Sequence, residues 1–174
     1  ELLGYREGSQ GSVWGLFLAN GKDCVIRNCR AWMNGWGIGL NSSASGSGDN
    51  IIERCLAWGN DCQFTSGDCG GISLFNARRD TVRHSVAFLN GMYGINIYGT
   101  GTDGGPYGAN NVPGNDEPNK SRLADNLAWG NRTADFKIKT GVDYFHTVER
   151  CAGPGLWSVQ AANLSRSLVG RNTK

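Results

Sequence analysis

Four prolines and two histidines are few for 174 residues, and nowhere does the chain show a sustained helical period. Scarce proline suits a backbone whose N–H groups are needed in inter-strand ladders. His84 and His146 have no paired acid at triad spacing, and the cysteines form no CxxC pair, so neither a histidine-based triad nor a zinc site is indicated. Both histidines are read as turn or surface residues. No apolar run approaches the ~20 residues of a membrane-spanning helix. A net charge of +2 leaves no electrostatic footprint for nucleic acid. The string Gly35-Trp36-Gly37-Ile38-Gly39 resembles part of a dinucleotide fingerprint, but no helix follows to receive a pyrophosphate. The chain begins at Glu1 without Met or a secretory leader, so it reads as a processed product or a fragment.

What the sequence does have is a repeat. Small-x-Ala-aromatic-x-Asn occurs at Cys29 to Asn34, Cys55 to Asn60, Ser85 to Asn90 and Asn126 to Asn131, at intervals of 26, 30 and 41 residues. A nearly constant core with insertions of variable length is the signature of a solenoid. Upstream of each core lies a β-branched run, such as Val25-Ile26-Arg27, Ile51-Ile52-Glu53 and Thr81-Val82-Arg83, with weaker copies at Arg122, Thr147 and Asn163. Downstream, apolar residues alternate: Leu16 and Leu18, Ile38 and Leu40, Ile72 and Leu74, Ile95 and Ile97, Phe136 and Ile138, and loosely Trp157 and Val159. Both patterns read as short strands.

A coil of about 22 to 25 residues has no room for a crossover helix, so strands of successive coils must stack in parallel. The expected fold is all-β, a right-handed parallel β-helix of about six coils, roughly 29 Å long at about 4.8 Å per coil. No hexapeptide period supports a left-handed helix, and no regular leucine spacing supports a leucine-rich repeat. The 27 glycines suit tight bends with positive φ. Residues 1–174 are expected to form one domain with insertions at about 61–70 and 99–120. The first strand, expected from Ser12 to Leu18, leaves little sequence for a cap, so two alternatives stand open: a cap outside this sequence, or an uncapped N-terminal coil that docks onto another chain, self-association included.

Cys29, Cys55 and Cys151 share a repeat position with Ser85, Asn126 and Ser167, which predicts an inward column of reduced packing residues. Cys62 and Cys69 bracket the first insertion, where bridged and reduced forms both stand open; Cys24 is unassigned. Trp32, Trp58, Phe88 and Trp129 form an aromatic column. Strict alternation would put these rings outside as a binding ladder, whereas a bend at the alanine would turn them inward, and inward packing is the expectation. Asn34, Asn60, Asn90 and Asn131 are expected to bond coil to coil at a turn in left-handed geometry.

The strings Ile26-Arg-Asn-Cys29-Arg-Ala31-Trp32-Met-Asn34-Gly35, Ile52-Glu-Arg-Cys55-Leu-Ala57-Trp58-Gly-Asn60 and Ala134-Asp-Phe136-Lys137-Ile138 resemble the repeats of right-handed β-helix polysaccharide lyases, in particular the pectate lyases of polysaccharide lyase family nine. The likeness runs from about Val25 to Asn172. It implies a lysine that removes the proton α to a uronate carboxylate, and calcium held by aspartates on the two preceding coils. Lys137 matches that lysine and is the candidate catalytic base. The calcium side departs from the pattern: Asn96 stands where the family has Asp, Met92-Tyr93 where it has two aspartates, and Gly70 to Ser73 lacks the acid, with Asp68 nearby.

Residues 99–120 leave the coil after Asn96 and Tyr98 and return before the Lys137 coil, so Asp103, Asp116 and Glu117 are candidate calcium ligands. The outward positions of the alternating strand read Phe17, Gly39, Ser73, Asn96, Lys137 and Ser158, then Asn20, Asn41, Phe75, Tyr98, Lys139 and Gln160. Rings, amides and lysines along one face suit an acidic polysaccharide, with Asn96, Tyr98, Lys139, Phe75 and Ser73 as candidate substrate contacts. Two functions follow: a secreted, lyase-like or glycan-binding domain for acidic polysaccharide, or a non-catalytic assembly module at a cell or virion surface.

Overall fold

In a computed structural model, described over residues 2–3, 13–42, 44, 46–61, 70–98, 121–138, 146–159, 162–165 and 168–172, every regular element is a β-strand. A short β1 (Leu2–Leu3) precedes coils of three strands each. The first two coils hold β2 (Trp14–Ala19), β3 (Val25–Arg27), β4 (Arg30–Trp32), β5 (Trp36–Asn41), β6 (Ile51–Glu53) and β7 (Leu56–Trp58). The next two hold β8 (Gly70–Phe75), β9 (Thr81–Arg83), β10 (Val86–Phe88), β11 (Tyr93–Tyr98), β12 (Arg122–Ala124) and β13 (Leu127–Trp129). β14 (Ala134–Ile138), β15 (His146–Glu149), the long β16 (Ala152–Val159), β17 (Ala162–Ser165) and β18 (Leu168–Asn172) follow.

One sheet stacks β3, β6, β9, β12, β15 and β17. A second runs β1-β4-β7-β10-β13 to β16 and continues through it into β14-β11-β8-β5-β2, so two faces of the coil share one long strand. All pairings along these stacks are parallel and in register with the repeat; Ala31, Ala57, Ala87 and Ala128, for instance, stand over one another. This is the right-handed parallel β-helix expected from the repeat.

The corners are made by single left-handed residues. Asn28, Arg54, His84, Asp125 and Arg150 form one such column, with φ between 50 and 57°, and Met33, Gly59, Leu89 and Gly130 form another. The repeat asparagines therefore do not carry the left-handed geometry expected of them; the residue before each one does. A non-glycine residue there costs roughly 1 kcal/mol, so turns containing Met33 and Leu89 are held by their neighbours.

Those neighbours are the asparagines themselves. Asn34 donates its backbone and side-chain N–H groups to Oδ1 of Asn60, both at 3.2 Å. Asn60 repeats this toward Asn90 (3.2 and 3.0 Å), and Asn90 toward Asn131 (3.0 and 2.9 Å). Every rung donates in the same direction, so the ladder needs an acceptor at its end. Asp135 supplies it. This residue occupies the strand position held by Gly37, Gly71 and Gly94 in earlier coils. At Gly37 a Cβ would run into the carbonyl of Gly71, so those coils require glycine.

Inside, Ile38, Leu40, Ile72, Leu74, Ile95, Ile97, Phe136 and Ile138 are fully buried, each worth about 2 kcal/mol against exposure. Cys55 and Cys151 are buried and Cys29 half-buried, all three as free thiols, in agreement with the reduced column. Burial pushes the Cys55 thiol up to about 11 and raises that of Cys151. Cys62 and Cys69 lie outside the described residues.

The aromatic column overturns an expectation. Each alanine before it points inward, so alternation carries Trp32, Trp58, Phe88 and Trp129 outside, half-buried against one another. Their planes lie within 6° of parallel, with centroids 4.9, 6.0 and 4.6 Å apart. The chain need not bend at alanine, because stacking by itself removes much of each ring from water. Around the next corner, Arg27 and Arg83 clasp Glu53 from both sides, and Arg122 and Arg150 pair with Glu149. His84 lies at an exposed turn, as expected.

Candidate functional site

The outer face of β2, β5, β8, β11 and β14 brings the sequence-nominated groups together. Register places Phe17, Gly39, Ser73, Asn96, Lys137 and Ser158 in one row. The neighbouring row reads Ala19, Asn41, Phe75 and Tyr98, so Ala19 holds the place expected for Asn20. Asn20 has instead left the strand, with φ 57°. Lys139, Asp103, Asp116, Glu117 and Asp68 lie outside the described residues, as do Gln160 and the side chain of Tyr98.

A third outward row was not legible from alternation. Trp14, Trp36, Gly70 and Tyr93 are in register, yet each precedes a glycine that faces inward and is itself followed by an inward apolar residue. Two consecutive inward positions shift the phase by one. The signal available in the sequence is the recurring aromatic-Gly-aliphatic string at Trp14-Gly15-Leu16, Trp36-Gly37-Ile38 and Tyr93-Gly94-Ile95.

Tyr93 matters because of Lys137. The Lys137 ammonium donates to Tyr93 Oη at 3.1 Å and lies 4.3 Å from the ring centroid. An ammonium set over a ring face in this way is the cation–π arrangement. Lys137 is half-buried, whereas Asn96 and Ser73 one and two rungs away are fully covered, with the Ser73 hydroxyl donating to Asn96 Oδ1. Gly70 makes this possible, since a Cβ there would meet both side chains. At the N-terminal end, Phe17 is 42% exposed and packs on Trp14 with centroids 4.7 Å apart.

Among the described residues no three His, Cys, Asp or Glu side chains converge as a metal site. Asn96, at the place of a calcium aspartate in the lyase resemblance, gives its oxygen to Ser73 and is buried. The described part of the face therefore does not fit calcium, which takes several oxygen ligands with carboxylates among them. Its chemistry is that of rings, amides and one cation.

No helix among the described residues is long and apolar enough to cross a membrane. The chain matches no curated protein and no solved structure. A family model described as the right-handed beta helix region matches residues 9–115, more than half of the chain, and its all-parallel stacked sheets agree. The protein belongs to the right-handed β-helix family.

Proposed function

We propose that this is a secreted carbohydrate-binding β-helix domain that takes an acidic polysaccharide along the outer face of β2, β5, β8, β11 and β14. The observation that carries the reading is the Lys137–Tyr93 pair at one end of a row that runs through Asn96 and Ser73 to exposed Phe17. An ammonium fixed over a ring offers a uronate carboxylate a positioned partner, and half-covered rings offer a sugar its C–H faces. Binding is favoured over lyase turnover because buried Asn96 and Ser73, bonded to each other, stand on the coils where the lyase resemblance calls for calcium carboxylates.

A second reading, an assembly module, is supported by the exterior aromatic ladder. Its ring faces are occupied by one another, so it offers a sugar little stacking surface and a protein partner an apolar strip flanked by Met33 and Leu89, 49% and 60% exposed.

Titrating polygalacturonate, alginate and glycosaminoglycans, with and without calcium, discriminates these readings. Binding of at least one acidic polymer is expected, weakened about tenfold in Lys137→Met. Absorbance of a 4,5-unsaturated product would replace binding with lyase action. Silence in both measurements would leave the assembly reading.

A further inference from the structure

At the N-terminal end of the same face four rings meet, from three different coils. Trp14 stacks on Trp36 at 4.6 Å with planes 24° apart, and the Phe75 ring stands edge-on to Trp14 at 5.5 Å and tilted against Trp36 at 5.3 Å. Phe17 packs on Trp14 from the exposed side. Gly39, next to Phe17 in the outward row, has no side chain, and a Cβ there would strike the six-membered ring of Trp14. The Trp14 ring thus lies on the strand backbone, in a seat that only glycine leaves open.

One atom in this cluster is unaccounted for. Trp36 is 6% exposed, and its Nε1–H finds no acceptor among the described residues. A buried donor without a partner is uncommon and calls for an acceptor. The cluster contains no cationic side chain, so an anion entering it would give up its hydration for a single indole N–H among rings, a poor exchange. A wholly apolar occupant, including an apolar face of a second copy of this chain, would leave Nε1 unpaired. An uncharged sugar ring meets both conditions, with C–H groups for the exposed Phe17 face and hydroxyl oxygens for an indole N–H.

We infer that Trp14, Phe17, Trp36 and Phe75 form a second subsite, specific for a neutral sugar residue, opened when the rings packed on Trp36 part to uncover Nε1. The inference rests on the polysaccharide reading and adds to it a polarity: a uronate at Lys137 and an uncharged residue at the other end. Four rungs separate Phe17 from Lys137, about 19 Å at ~4.8 Å per rung, a span that a short oligosaccharide lying along the helix axis covers. The class of ligand is therefore a mixed glycan carrying both acidic and neutral residues.

Isothermal titration with two probes, neutral galactotetraose and oligogalacturonate, tests this on the wild type and on Trp36→Phe, Phe17→Ala and Lys137→Met. Trp36→Phe keeps a ring and removes the donor; Phe17→Ala, at an exposed position, serves where the first variant does not fold. Galactotetraose binding is expected to weaken about tenfold in either aromatic variant and to be unchanged in Lys137→Met. If oligogalacturonate binds and needs Lys137 while galactotetraose either fails to bind or ignores both aromatic variants, the subsite is wrong and the acidic reading stands. If galactotetraose binding depends on Trp36 but oligogalacturonate binds no better and ignores Lys137, the subsite stands and the acidic reading falls. Failure of both probes on the wild type overturns both.

Discussion

Asp135 Oδ1 accepts the backbone N–H and the side-chain amide of Asn131, at 3.3 and 3.0 Å, while its Oδ2 accepts the Gly155 N–H at 2.6 Å. One carboxylate thus terminates a ladder begun four coils earlier at Asn34, and it does so two residues before Lys137. Replacing it with alanine strands the half-buried backbone N–H groups of Asn131 and Gly155, while the Asn131 side-chain amide keeps the Ala87 and Trp129 carbonyls. Asp135→Ala is expected to lower unfolding free energy by about 2–4 kcal/mol, measured by urea denaturation. Asp135→Asn, which keeps one acceptor oxygen, should lose less. Equal stability of the alanine variant and wild type would remove Asp135 from the ladder.

Two glycines separate close approach from backbone conformation. Gly37→Ala forces a Cβ onto the Gly71 carbonyl and is expected to cost about 3 kcal/mol or more. Gly46 has φ 80° but nothing within 4 Å of a Cβ, so Gly46→Ala should cost only about 1 kcal/mol. Thermal unfolding of the two variants side by side reads the difference.

Exterior stacking can be measured apart from the core. Trp58 contacts rings on both sides, and Trp58→Ala should therefore cost about 1–3 kcal/mol, two ring pairs' worth. Near-UV circular dichroism should lose the signal of the nearly parallel Trp32–Trp58 pair. A variant as stable as wild type, with an unchanged spectrum, would contradict the stack.

The arginines beside Glu53, Arg83 foremost and Arg27 second, hold its carboxyl below the usual range. A carboxyl whose folded value is depressed contributes stability that is present above the unfolded value of about 4.3 and is lost as pH falls through the folded value. The stability advantage of wild type over Glu53→Gln should therefore be constant above about pH 5 and shrink below it, as followed by melting temperature from pH 2 to 7. Desolvation moves the buried Asp80 the other way, although Asn50, Ser42 and Arg78 all donate to it, so its contribution is lost as pH rises through its folded value. A Glu53→Gln difference that stayed flat through acid would rule out the charge clasp.

Maleimide labelling separates the thiols. Cys29, half-buried, should label in the native protein at pH 8, whereas Cys55, pushed up to about 11, and buried Cys151 should label only after unfolding in urea. Mass spectrometry of the labelled peptides reads this directly; rapid native labelling of Cys55 would contradict its burial.

The small-x-Ala-aromatic-x-Asn repeat determined the coil, the parallel stacking and most of the inward columns, because parallel in-register strands put identical positions over one another and each column therefore selects its own residue type. It also nominated Lys137 and Asn96 as neighbours, which β11 and β14 confirm in register. Three things were decided only in three dimensions. The left-handed corners fell on Met33 and Leu89, since any residue can be held there once the following asparagine is bonded to the next coil. The rings of the aromatic column stayed outside, because neighbouring coils supply the cover that a single coil lacks. The pairing of Tyr93 with Lys137, 44 residues apart, depended on a break in alternation at Gly94 that turns Tyr93 outward, and side-chain phase at such a break is set by the ladder packed beneath it.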